Sequence, residues 1–532
     1  MNKSNGKVPQ KVKTLARITL LLLLSLFLSL VKLWLVAGQS FYAIYVLDDD
    51  TLFLNNANFL LKGDWLGPYT HWTLAKGPFY PLWIAASLAS DIPLFLTHHV
   101  LYIAACSLFV LSIRPVVQKP IMLFILFTVL LFNPMSYADP VGTRVLREGI
   151  YPALTVMVFS GAIGLMIRCH RSLRNLLLWS IGLGLTFSAF WLTREEGIWM
   201  ILPVLTILCL AAVRIYGAKP VARIRRLILC ILPFLILSAA ILTVAAINKS
   251  YYGIFSTNEF KAPYFLDAYG ALTRVKHANW NPKIPVPKEA RERIYDAVPS
   301  FAELKGYLDG PLGKGWIKDS CLNLSICDDI AGGWFAWAFR YAVADAGYYR
   351  SGESTRAYYE RLASEINAAC EEKRFDCGPA RSTLASPWHA EYARPLFTTI
   401  VDSAVYLAAF KGANASSGES PKLSQMADLR ITVLDGIGGG YRFLMPLLVI
   451  PALMAYILRT IHVLRKRELT DLYVASSAII TAIVVRLFII SLIEISSFPA
   501  VNTIYLSPAH PLLLVFVIFG LIDGEKMLFP PK

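Results

Sequence analysis

The sequence predicts a mainly α, polytopic membrane protein: about ten apolar transmembrane spans in a helical core, plus one largely helical extracytoplasmic domain. Three observations carry this reading. Of 532 residues, 56% are hydrophobic and only 16% charged, whereas soluble domains carry about a quarter charged residues. Apolar runs near the ~20-residue spanning length recur along the chain. Basic residues gather in every second connection between those runs, as the positive-inside rule requires. Disordered, collagen-like and small disulfide-scaffold classes are excluded at once.

The apolar runs fall at 18–36, 94–113, 121–135, 150–167, 176–192, 198–213, 227–247, 443–458, 475–493 and 508–522. Lys3, Lys7, Lys11, Lys13 and Arg17 precede the first. Its length, and the lack of a small-residue cleavage site after it, predict a retained anchor with a cytoplasmic N-terminus. Further basic clusters lie at Arg114 and Lys119, at Arg168, Arg171 and Arg174, and at Arg214, Lys219, Arg223, Arg225 and Arg226. Arg459, Arg465, Lys466 and Arg467 form another, and Lys526 and Lys532 close the chain. The run 79–89 is too short to span and predicts a half-span or interfacial helix walling a lipid groove. His98 and His99 are expected at the membrane interface.

The polar stretch 248–437 divides the chain into three parts: an N-terminal transmembrane core (1–247), an extracytoplasmic domain (248–437) and C-terminal transmembrane helices (438–532). That stretch carries 22 Lys/Arg and 22 Asp/Glu, so the whole +15 belongs to the membrane parts. Topology accounts for the charge, and no nucleic-acid partner is needed. The expected home is a plasma (inner) membrane, with both termini cytoplasmic and the large domain periplasmic.

Inside the domain, Pro287 opens a helix over 288–297, and Ser300 with Glu303 fits a capping box. The segment 354–373 reads as an amphipathic helix, and Gly332-Gly333-Trp334-Phe335-Ala336-Trp337 leads into another that reaches Ala346. Four of the eight cysteines, Cys321, Cys327, Cys370 and Cys377, fall here. An even number in an oxidising compartment predicts two disulfides, with three pairings open.

The first outer loop holds the chemistry. Asp48-Asp49-Asp50 places three carboxylates side by side at the mouth of a membrane helix, where at least one should titrate abnormally unless a cation pairs with it. Downstream stand Phe53, Ala57, Gly63-Asp64-Trp65 and Lys76-Gly77-Pro78. This order of acidic pair, Gly-Asp-Trp turn and Lys-Pro element resembles the first outer loop of GT-C superfamily membrane glycosyltransferases. The likeness is to the protein O-mannosyltransferase and lipid A aminoarabinose transferase branch, and it covers about thirty residues. It implies an enzyme that takes a sugar from a polyprenyl-phosphate donor and inverts the anomeric carbon by direct displacement. The acceptor would be a lipid, glycan or protein at the outer face. By this resemblance Asp49 is the base, Asp50 its polar or metal-contacting neighbour, and Lys76 a ligand of the carrier phosphate. Relatives often place glutamate before the lysine and a proline after it. Here Ala75 and Gly77 stand there, which weakens a metal site and predicts no obligatory metal, with a divalent ion as the alternative.

The chemistry also follows from the reaction. A carboxylate must take the acceptor proton, and cations must meet charge growing on the departing phosphate. The predicted outer loops supply Asp139, Arg144, Arg147 and Glu148 after span three, and Arg194, Glu195 and Glu196 after span five. Arginine's planar fork suits phosphate. The resemblance implies a second acid after span three, for which Glu148 is the match and Asp139 the alternate. Interfacial salt bridges tying loops together are the plain alternative for the arginines and glutamates. Arg486 sits inside the ninth run and must find Glu494, another carboxylate or a lipid phosphate. Two other functions fit less well: a ligase or polymerase using a lipid-diphosphate glycan, and a lipid or glycan transporter, for which no internal repeat is evident.

Overall fold

The apolar runs fold here as helices, because a helix satisfies every backbone group within its own segment. The computed structural model describes residues 10–43, 47–217, 220–278, 280–415 and 425–528. The topology residues Lys3, Lys7, Lys219 and Lys532 lie outside them. Helix α1 spans Gln10–Val36, and a π-helical turn, Leu47–Thr51, leads into α2, Leu52–Lys62. Then come α3 (Phe79–Ala89), α4 (Leu94–Ile113), α5 (Pro120–Leu131), α6 (Tyr151–Ile167), α7 (Leu173–Thr193), α8 (Ile201–Tyr216) and α9 (Pro220–Tyr252). The outer region holds α10 (Pro263–Thr273), α11 (Lys288–Ala297) and two single turns, α12 (Pro299–Ala302) and α13 (Lys305–Leu308). It continues with α14 (Pro311–Leu324), α15 (Gly332–Asp345), α16 (Gly352–Glu371) and α17 (Ala393–Ala408). The chain closes with α18 (Gln425–Lys466), α19 (Asp471–Ser496), the turn α20 (Thr503–Leu506) and α21 (Ala509–Leu528).

The fold is thus a polytopic, mainly α membrane protein. Among the described residues, seven helices are long and apolar enough to cross a bilayer. Each of the ten predicted runs overlaps a helix, although α5 and α6 fall short of a full span and α21 is not among the seven. Helix α6 is apolar all round and almost wholly buried, packed between α4, α7 and α8 at the centre of the bundle. Basic residues sit at the C-terminal ends of α6 and α8: Arg168 caps α6, and Arg214 lies in the last turn of α8. Those ends face away from the outer region.

Two differences from the sequence reading matter for the site. Helix α9 runs on to Tyr252 and α18 is continuous from Gln425, so the expected boundaries at 247 and 437 fall inside helices. Helix α17, counted in the outer domain, packs on α19, and Leu407, Phe410 and Ala413 join the core of the bundle. The outer domain's own core runs from Tyr252 to Phe375 and takes in Leu66 and Leu74 of the first loop. Hydropathy marks where apolar sequence stops; it does not mark where a helix stops or which core an amphipathic face chooses.

Within the domain, α11 forms as expected, and the amphipathic segment folds as α16, two residues earlier than read and capped by Ser351. The Ser300–Glu303 capping box does not form. Ser300 Oγ instead donates to Glu365 (2.7 Å), and Glu303 accepts from Tyr348 (2.5 Å), so both tie the turn to its neighbours. The disulfides join Cys321 to Cys327 and Cys370 to Cys377, each closing a short local loop. His98 and His99, in the first turns of α4, are buried against protein and pack on the rings of Phe41, Tyr80 and Phe95.

Candidate functional site

At the end of the bundle beneath the outer domain, α1, α7, α9 and α19 finish and α6, α8, α18 and α21 begin. Their connections converge on a cavity of about 700 Å³, within the ~300–1,000 Å³ usual for ligand sites. Asp49 enters from the π-helical turn ahead of α2, Lys76 from the loop before α3, and Arg147 from the turn before α6. Arg194, Glu195 and Glu196 come from the α7–α8 connection and Tyr505 from α20. The opposite wall belongs to the outer domain: Trp316, Asp319 and Asn323 of α14, and Trp334 and Trp337 of α15. Gly77 has a local reason to be glycine. A Cβ there would stand 2.1 Å from the Leu192 carbonyl oxygen, so the Lys76 loop can pass the end of α7 only without a side chain.

The charged groups are matched in pairs. Lys76 Nζ lies 2.9 Å from Asp49, whose side chain stays 40% exposed. Arg147 donates to both oxygens of Glu195 (2.8 and 2.6 Å). Arg194 forks onto Glu196 (2.8 and 2.8 Å), binds Glu148 behind it, and lies between the rings of Tyr151 and Tyr505. Burial pushes the Asp49 carboxyl up, but Lys76, with Arg147 and Arg144, overrides it and holds Asp49 at about 2. Burial likewise raises Glu195 and Glu196, and Arg147 and Arg194 reverse it, leaving both below the usual carboxylate range.

Six predicted residues therefore face the cavity together: Asp49, Lys76, Arg147, Arg194, Glu195 and Glu196. Four stand behind it. Asp50 is fully buried and holds Arg144 (2.9 Å), and Glu148 holds Arg194, so of the three acids expected to be catalytic only Asp49 lines the cavity. Arg486 does not meet Glu494. Its Nε and Nη2 donate to the Tyr505 carbonyl (3.0 and 2.7 Å) and its guanidinium stacks on Trp199, while Glu494 accepts from the backbone of Ala500 and Val501. Asp139 lies apart, accepting from Thr143 Oγ1 (2.5 Å). Sequence reasoning missed Asn258, which donates to the Ala75 carbonyl (2.7 Å) and to Glu195 (3.3 Å), and also missed Tyr505 and the α14 residues. A signal for α14 did exist: Trp316, Asp319 and Asn323 fall on one helical face.

Among the described residues no group of three or more His, Cys, Asp or Glu is placed to hold a metal ion. The cavity carboxylates fit a metal poorly, because Asp49, Glu195 and Glu196 are already engaged by Lys76, Arg147 and Arg194.

Fold and cavity together define a class: a multi-pass helical membrane protein with an ionic cavity roofed by an extramembrane domain. No protein-family model matches the chain, and no curated protein does. Among solved structures it is similar to the apo crystal structure of ArnT from Cupriavidus metallidurans, over 95% of this chain and 76% of that one. The identity is 11% and the TM-score 0.34, a distant likeness.

Proposed function

We propose that this chain is an integral-membrane glycosyltransferase of the GT-C kind. In this reading it moves a sugar from a polyprenyl-phosphate donor to an acceptor at the extracytoplasmic face, with inversion and with no obligatory metal. The observation that carries the reading is a part-exposed carboxylate, Asp49, sharing a cavity with the cations Lys76, Arg147 and Arg194. The acceptor hydroxyl attacks the anomeric carbon and gives its proton to Asp49. The new bond to the acceptor oxygen forms as the anomeric bond to phosphate oxygen breaks, with the electron pair leaving on the phosphate. The phosphodiester becomes a monoester with one more negative charge, which arginine forks and an ammonium stabilise.

The Asp49–Lys76 pair gives this scheme an order of events. A carboxyl held at about 2 is a feeble base. A donor phosphate that draws Lys76 away removes the principal neighbour depressing Asp49, so basicity returns when substrate is bound. Asp50 and Glu148 serve as positioning residues, holding Arg144 and Arg194 from behind. The test is purified protein with a panel of radiolabelled polyprenyl-phosphate sugars. Wild type should consume a donor, and Asp49→Asn should abolish consumption while inserting in the membrane normally. Near wild-type transfer by Asp49→Asn would refute the assignment.

A further inference from the structure

The cavity has two unlike walls. Its cations and most of its carboxylates sit on the bundle side, whereas the domain side carries three indole rings, one amide and one carboxylate. Trp316, Asp319 and Asn323 stand at i, i+3 and i+7 of α14 and so share a face. Trp334 and Trp337 stand on the first turns of α15. This wall is braced. The Cys321–Cys327 bridge closes the end of α14, the Trp316 indole donates to Tyr307 (3.3 Å), and the Gly332 amide is bonded to the Lys283 carbonyl (2.7 Å).

The composition of this wall selects its ligand. An anionic headgroup would call for cations on this wall; the one that reaches it, Lys76, lies over the Trp337 ring (5.3 Å) and is paired with Asp49. A peptide that binds by adding a strand needs an open sheet edge, and two helices whose backbones are internally bonded offer none. An acyl chain would bury the Asp319 carboxylate against hydrocarbon, at a cost with no compensating hydrogen bond. A pyranose satisfies all of them: its C–H faces pack on indole rings, and its rim hydroxyls bond to a carboxylate and an amide.

We infer that the Trp316–Asp319–Asn323 face, with Trp334 and Trp337, is the acceptor subsite for a neutral glycan, presenting one of its hydroxyls across the cavity to Asp49. This assignment rests on the transferase reading, which supplies the donor on the opposite wall.

The experiment uses the full chain in nanodiscs, titrated with cellobiose, chitobiose, mannobiose and lactose, and read by saturation-transfer NMR and tryptophan fluorescence. At least one disaccharide should bind. Asp319→Ala and Asn323→Ala should each weaken it about tenfold, the worth of one or two hydrogen bonds. Trp334→Phe, which keeps an aromatic ring in the domain core, should weaken it less. Silence from every disaccharide overturns the assignment, as does binding that neither polar variant changes. So does a response to a serine/threonine-rich peptide or to anionic-lipid nanodiscs alone. Binding of a short-chain polyprenyl monophosphate is measured in the same samples. If that phosphate fails to bind while a disaccharide does, the transferase reading falls and the glycan site stands.

Discussion

Asn258 and Glu259 are neighbours in sequence but reach into ionic clusters of opposite character. Asn258 touches Glu195 at the edge of the cavity. Glu259 is fully buried, and it accepts from Tyr349 (2.9 Å), Tyr264 (3.1 Å) and Tyr69 (3.3 Å) and pairs with the equally buried Arg340 (2.8 Å). Arg340 in turn donates to the carbonyls of His71 (2.5 Å) and Thr73 (3.2 Å), and the Glu259 amide bonds the Leu74 carbonyl (2.8 Å). This hub clamps the first outer loop into the domain core. In the hub a carboxylate is saturated by protein donors and closed to water; in the cavity the carboxylates meet cations across a space a ligand can enter. The same residue types thus hold the loop in one place and remain available for chemistry in the other.

The comparison breaks most visibly at the hub. Glu259→Ala leaves the Arg340 charge buried with no counter-ion, a change that costs about 3–5 kcal/mol in buried pairs. Thermal unfolding of the detergent-solubilised protein should show a large drop and early loss of the outer domain. An unchanged unfolding temperature would mean water already reaches the hub, and the contrast with the cavity would vanish.

The next effect runs the other way. Arg147→Ala should reduce sugar transfer about a hundredfold, as removal of one preorganised donor does elsewhere. Its unfolding temperature should move far less than that of Glu259→Ala, because the Glu195 it abandons faces an open cavity. Equal stability losses in the two variants would make Arg147 another clamp.

The cavity cluster was legible in the sequence and the hub was not, for a physical reason. Asp49, Lys76, Arg147 and Arg194 are charged residues at the ends of apolar runs, where their cost near lipid singles them out. Glu259, Arg340, Tyr264 and Tyr349 lie in a polar stretch with many equivalents, Tyr69 and His71 in a loop far from them in sequence, and only tertiary packing makes them special. The split between cavity-facing and supporting acids was equally hidden. Asp49 and Asp50 are adjacent, and a single π-helical turn sends one toward Lys76 and the other toward Arg144.

Titration separates the two regions by pH window. His71 packs its ring 4.1 Å from that of Tyr341, with Trp72 and Tyr349 beside it, and its buried Nε2 has no hydrogen-bond partner. Burial, reinforced by Arg340, pushes it down from 6.5 to about 4. As pH falls below 6.5 the unfolded chain takes this proton and the folded one does not, so stability declines until the folded state also protonates near 4. Asp49 lies on the other side of that window. Its ordinary value of 3.8 is lowered to about 2, so its contribution is whole above about 4 and is lost only as pH falls toward 2. Melting temperature followed from pH 7 to 4.5 should therefore fall in the wild type and fall less steeply in His71→Phe, which keeps a ring against Tyr341 without a titrating group. Parallel declines in the two proteins would move the acid sensitivity away from the hub.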